Sequence, residues 1–242
     1  MTNSRSIITL LMLSIAISVA SCTNDEDSNK DVAITDEEAA ELIAGSVQTS
    51  TAGLTLTVNT FSRALATEIT PMEFCGTVYE KTIPYSTNGN LVEADYTLGW
   101  SYQLSCNSLN IPQTVLLSGT TTGTYSTQRV ESNGNSQSSF NISGLQPSAS
   151  SYVFIGDLNQ KATQQVTVNQ NTKTISSTVS LELTNLVVDK ESYEISSGTG
   201  VVTLSGTTDQ GNSFLFEGTI TFSGDGTATV TLNGIAFEIT LD

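Results

Sequence analysis

From Cys75 onward the chain alternates apolar and polar residues in short runs, and clusters of Gly, Asn, Asp and Ser interrupt it every ten residues or so. A period of two sends successive side chains to opposite faces of a strand, so this texture commits the region to β-structure. The clearest pair of runs is 228–232 and 235–241, joined by Asn233-Gly234. Both residues of such a tight hairpin turn need positive φ, which Asn and Gly tolerate best. Further runs cover 77–83, 94–104, 114–120, 138–142, 152–155, 164–168, 174–183, 192–195, 201–204 and 214–222. No helical stretches separate them, as parallel strands would require. The expected fold is mainly β: an antiparallel β-sandwich over 71–242, with an open or flattened barrel as the alternative. An outer-membrane barrel fits less well, because aromatic residues are only 7% of the chain and interfacial girdles need them.

A short helical segment, 35–70, is expected ahead of the sheet. Thr35-Asp36-Glu37-Glu38 has the form of a capping box, in which the threonine and Glu38 satisfy each other's backbone N–H. Ala39, Ala40, Leu42, Ile43 and Val47 follow at helical spacing, which predicts a helix over 36–48. In 51–67, Leu54, Leu56 and Val58 alternate like a strand, whereas Leu54, Val58, Phe61 and Leu65 form a helical stripe. The stripe is longer, so a second helix is expected there. Two internal echoes also occur: 116–121 resembles 203–208, and 140–145 resembles 230–235. Ser and Thr together supply 69 of the 242 residues, and in such a composition coincidence is the better reading than duplication.

The first residues read as an address. Arg5 precedes a short apolar run over 7–19, too short to span about 30 Å of hydrocarbon comfortably, and small residues follow it. Val19-Ala20-Ser21-Cys22 resembles the lipobox of bacterial lipoproteins. That resemblance implies a signal peptide over 1–21, cleavage before Cys22, and a lipid on its thiol that holds the chain to a membrane. Several acyl chains anchor stably, at about 0.8 kcal/mol per buried methylene. Residues 23–31 are polar and acidic, and 22–34 reads as a flexible tether. An acidic cluster just after the lipidated cysteine also resembles the export signal of Bacteroidota surface lipoproteins. The implied location is the cell envelope, at the outer membrane. If Cys22 is lipidated, Cys75 and Cys106 remain as an even pair in an exported protein, which reads as a disulfide.

Charge and composition exclude more than they select. The chain carries 8 Lys and Arg against 24 Asp and Glu, a net charge of −16. So few cations cannot neutralise a row of phosphates, which argues against nucleic-acid partners. Asp25, Glu26, Asp27, Asp31, Asp36, Glu37, Glu38 and Glu41 concentrate much of the acidity near Cys22. Histidine is absent altogether, which removes Ser-His-Asp and Cys-His catalysis and His-ligated zinc. Paired carboxylates remain as enzyme chemistry. Glu93, Asp95, Asp157, Glu182, Glu194, Asp209, Glu217, Asp225 and Glu238 are available, but none stands in a recognisable motif. No cofactor or metal site is expected. Asp209-Gln210-Gly211-Asn212 and Gly224-Asp225-Gly226 read as turns, since neither has the ligand spacing of a calcium loop.

Tyr96, Trp100 and Tyr102 share one face of a strand with Leu98 and Leu104. Exposed, those aromatic rings would stack on sugars or anchor a protein ligand; buried, they are the centre of the core. The core is the favoured reading. The functional expectation is a non-enzymatic, membrane-tethered module that binds or presents a glycan or protein. Its alternatives are an accessory subunit of an outer-membrane complex and, less favoured, a two-carboxylate glycoside hydrolase.

Overall fold

The computed structural model describes residues 33–67, 75–168 and 170–242. The signal peptide, Cys22 and the tether up to residue 32 lie outside the described residues. Ile34, assigned to the tether, is instead 1% exposed and belongs to the core.

Helix α1 spans Asp36–Val47 and closes its first turn with the capping box expected of it. The Thr35 hydroxyl accepts from the Glu38 N–H at 3.2 Å, and Glu38 Oε2 accepts from the Thr35 N–H at 2.9 Å. Helix α2 spans Leu54–Thr67, and Leu54, Val58, Phe61 and Leu65 are its buried stripe. Between them Ala52 takes φ 54°. Gly53 then packs on the end of α1 so closely that a β-carbon would stand 2.6 Å from the Ser46 carbonyl oxygen.

Ten strands follow: β1 Val78–Asn88, β2 Glu93–Cys106, β3 Pro112–Ser126, β4 Val130–Ser143 and β5 Ser151–Val168. The rest are β6 Asn171–Asp189, β7 Ile195–Thr208, β8 Ser213–Phe222, β9 Thr227–Leu232 and β10 Ile235–Thr240. Each pairs antiparallel with the next in one continuous sheet. β1 and β10 are its edges, so the barrel is not closed. The mainly β class and the helical prelude are as expected, and the layering comes from this one sheet curling over the helices. The curl follows from contacts along α1. Asp36 accepts from Asn233 in the β9–β10 turn, Glu38 pairs with Lys173 of β6, Glu41 pairs with Arg129 before β4, and Gly45 meets Tyr125 of β3. Asp36 to Gly45 is only about 14 Å of helix, whereas β3 to β9 laid flat would cover about 29 Å.

Several runs proved longer than their alternation indicated. Runs 152–155 and 164–168 are the two ends of the single strand β5. Run 192–195 is mostly turn, with Tyr193 at φ 62°, and β7 starts at Ile195. The first echo relates β3 to β7, four strands on, and the second relates β4 to the β9–β10 hairpin, five strands on. No constant strand offset links them, as a duplicated half-domain would require. Among the described residues no helix is long and apolar enough to cross a membrane.

Candidate functional site

The sheet's inner face carries the core, and the aromatic row belongs to it. Tyr96 and Trp100 are 3% and 4% exposed. Trp100 meets Phe61 of α2 edge-on, with centroids 5.3 Å apart, and Tyr102 meets the same ring at 5.6 Å. Tyr102, half-buried, also stacks on Tyr79 at 5.4 Å. Helix α2 therefore occupies the face on which those aromatic rings would have met a ligand. Cys75 and Cys106 are joined by a disulfide, with their Cα atoms 5.8 Å apart. It ties the segment before β1 to the end of β2, beside the bridge between Cys75 and Leu104.

The outer face exposes Leu116, Ile155, Val201 and Leu215, but one end of β1–β5 is polar there, and register organises it. Ser86 of β1 stands opposite Asp95, Asp95 opposite Thr124, Thr124 opposite Asn133, and Asn133 opposite Thr163 of β5. Two residues along, Asn88, Glu93, Ser126, Glu131 and Gln165 form a second row by the same pairings. Neighbouring strands lie about 4.8 Å apart, so each row crosses about 19 Å of sheet. Together the rows line an open groove of about 870 Å³. Its walls offer hydroxyls, carboxamides and three carboxylates, Glu93, Asp95 and Glu131, with no Lys or Arg among the lining residues. Such a surface supplies many donors and acceptors to a hydroxyl-rich ligand, and excess negative charge to a cationic one.

Beneath one end of this groove lies Tyr125, 5% exposed, whose phenol is pushed up to about 12 by burial, with the Glu41 carboxylate acting in the same direction. Burial raises the Tyr96 phenol too, and Tyr125 adds to that shift.

The remaining carboxylates are scattered over the surface, and Glu194 and Asp225 line a cavity of about 270 Å³ at one end of the sheet. Asp157 of β5 stands directly opposite Glu182 of β6 on the outer face. They line a second open depression of about 490 Å³ with the exposed Ile155 and Val201. Asp209 lies in the β7–β8 turn and accepts from the Thr174 N–H at 3.3 Å. Asp225 lies in the β8–β9 turn, where the Thr227 hydroxyl donates to it at 2.6 Å and holds its carboxyl below the usual range. Glu217 and Glu238 are exposed on β8 and β10. Among the described residues no three His, Cys, Asp or Glu side chains converge to hold a metal ion.

Sequence reading missed the contributions of β4 and β5 to the groove: Glu131, Asn133, Thr163 and Gln165. Only Gln165 lies in a run that alternation marked as strand, and register alone aligns the four with Asp95 and Glu93. No protein-family model, curated protein or solved structure matches the chain.

Proposed function

We propose that this chain is a lipid-anchored envelope protein, held through Cys22, that acts as a non-catalytic binding module for a glycan. The observation that carries the reading is the pair of aligned polar rows across β1–β5. Carboxylates and carboxamides accept or donate two hydrogen bonds in one plane, the pattern that vicinal sugar hydroxyls match. Asp95 and Asn133 sit in the same row, separated by Thr124 alone. The acidic composition after Cys22 supports the anchoring half, since a stretch without apolar residues suits a solvated spacer. The lipobox resemblance of 19–22 supports the anchor itself.

The test uses the full chain in detergent on a glycan array, followed by titration of the best-retained glycan. Asp95→Ala and Asn133→Ala are each expected to weaken binding about tenfold, as loss of a hydrogen bond to a polar ligand does. Silence on glycans together with a stoichiometric envelope partner would overturn the reading in favour of an accessory subunit. Mass measurement of the mature N-terminal peptide tests the anchor, and an unmodified Cys22 would refute it.

A further inference from the structure

Along the outer face of β4 the polar side chains stand in line. Asn133, Asn135, Gln137, Ser139 and Asn141 occupy alternate positions of the strand, and all are exposed. Alternate residues repeat every ~6.8 Å, so Asn133 to Asn141 covers about 27 Å. The four carboxamides have no hydrogen-bond partner among the described residues. Asn159 on neighbouring β5 differs: it donates to Asp157 at 3.2 Å and accepts from the Ser180 hydroxyl at 2.7 Å. A carboxamide carries two N–H donors and one oxygen acceptor, so the line repeats a donor and acceptor set that is open to a ligand.

The flanks continue the pattern. On β3, Thr124 stands opposite Asn133, Thr122 opposite Asn135, and Thr120 opposite Gln137. The line begins in the outer-face groove, which Asn133 and Thr163 border. Both residues also border another open depression, of about 420 Å³, to which Thr122 and Asn135 belong. At the far end Asn141 stands between Leu116 of β3 and Ile155 of β5, which are 49% and 51% exposed. A carboxamide between apolar neighbours matches a sugar ring, which carries C–H faces beside its hydroxyls.

Direction and charge narrow the ligand. The sheet wraps the helices by turning from strand to strand. A straight ligand therefore lies best along a strand, whereas one laid across β1–β5 has to bend. From Asn133 to Asn141 no outward residue is charged. One cation, Lys161 opposite Asn135, and one carboxylate, Asp157 opposite Ser139, flank the line. That balance favours a neutral ligand over an acidic or a basic one.

We infer that β4 is the track for a linear, neutral polysaccharide that starts in the groove and follows the strand. Its hydroxyls exchange hydrogen bonds with Asn133, Asn135 and Gln137, and its C–H faces rest on Leu116 and Ile155. This inference rests on the glycan reading above and deepens it: the ligand is a stretch of chain and not a single terminal sugar.

Calorimetric titration of the full chain with size-fractionated cello-, xylo- and manno-oligosaccharides tests it. In at least one series affinity should rise about tenfold or more between the shortest fraction and one that covers the line. Gln137→Ala and Asn141→Ala lie beyond the groove, so each should weaken the longest fraction severalfold and leave the shortest unchanged. Asn133→Ala should weaken every length. All three positions are exposed, and circular dichroism checks that the variants fold. Suppose that the array retains a glycan but none of the three series binds, or that affinity does not grow with length. Either result overturns the linear-chain inference and leaves the glycan reading standing, as does an unchanged longest fraction in both Gln137→Ala and Asn141→Ala. Silence of every glycan on the array removes that reading and this inference together.

Discussion

Gly45 of helix α1 lies directly under the phenol of Tyr125, so close that a β-carbon at position 45 would overlap the phenolic oxygen. A glycine inside a helix costs roughly 1 kcal/mol relative to alanine, and here it gives the sheet room to close over α1. Gly45→Ala is expected to lower stability despite its better propensity, because overpacking costs about 1–3 kcal/mol. Tyr125 is 5% exposed and cannot swing aside. Adding Tyr125→Phe removes the overlapping atom, so the double variant should be more stable than Gly45→Ala alone. Urea unfolding of the three variants measures this coupling, and simple additivity would show that the contact does not constrain the helix.

The ion pair between Lys173 and Glu38, 2.7 Å long, fastens the start of α1 to β6. The Glu38 side chain is 8% exposed, and the Lys173 ammonium is the cation that faces it. Lys173→Met should cost about 2–4 kcal/mol, most of it from leaving a buried carboxylate uncompensated. Glu38→Gln in that background removes the charge while keeping an oxygen for the Thr35 N–H. Part of the loss should therefore return, as read from chemical denaturation midpoints. No recovery would mean that Lys173 acts through packing of its stem.

These two contacts also show what was legible in the sequence. The box at Thr35 and Glu38 and the stripe of Leu54, Val58, Phe61 and Leu65 are local patterns, and they placed both helices. Asn233 and Gly234 take φ 50° and 81°, as a tight hairpin turn demands. The curl of the sheet rests on partners such as Glu38 with Lys173, 135 positions apart, and no local pattern carries that. Strand lengths were hidden for a related reason. Thr121, Ser138, Gln164 and Ser177 face inward and are buried, so small and polar residues fill the core positions where alternation looks for apolar ones. The groove was illegible because it is a property of register across five strands. Asp95 lies in a run whose alternation turns it outward, but it shares a row with Thr163 only through Thr124 and Asn133.

The disulfide between Cys75 and Cys106 closes a loop over a sequence separation of 31. Its removal should cost about 3–4 kcal/mol if it acts by restricting the unfolded chain. Paired urea titrations with and without a phosphine reductant measure the difference. Alkylation under non-reducing conditions should label neither cysteine; two labelled cysteines would refute the bridge.

Alkaline pH gives the last test, and its sign follows from where Tyr125 sits. An exposed tyrosine ionises near 10, whereas burial pushes the Tyr125 phenol up to about 12. Between those values the unfolded chain has lost the proton and the folded chain keeps it, so folding is penalised as pH rises. The contribution is fully present below about 10 and is lost through about 12, amounting to about 2–3 kcal/mol for one group. Burial raises Tyr96 in the same direction, so the two phenols act together. Unfolding midpoints measured across this window should fall, and Tyr125→Phe should flatten the fall relative to the parent chain. An equal slope in the variant would place the alkaline loss elsewhere, with the Tyr96 phenol the first group to examine.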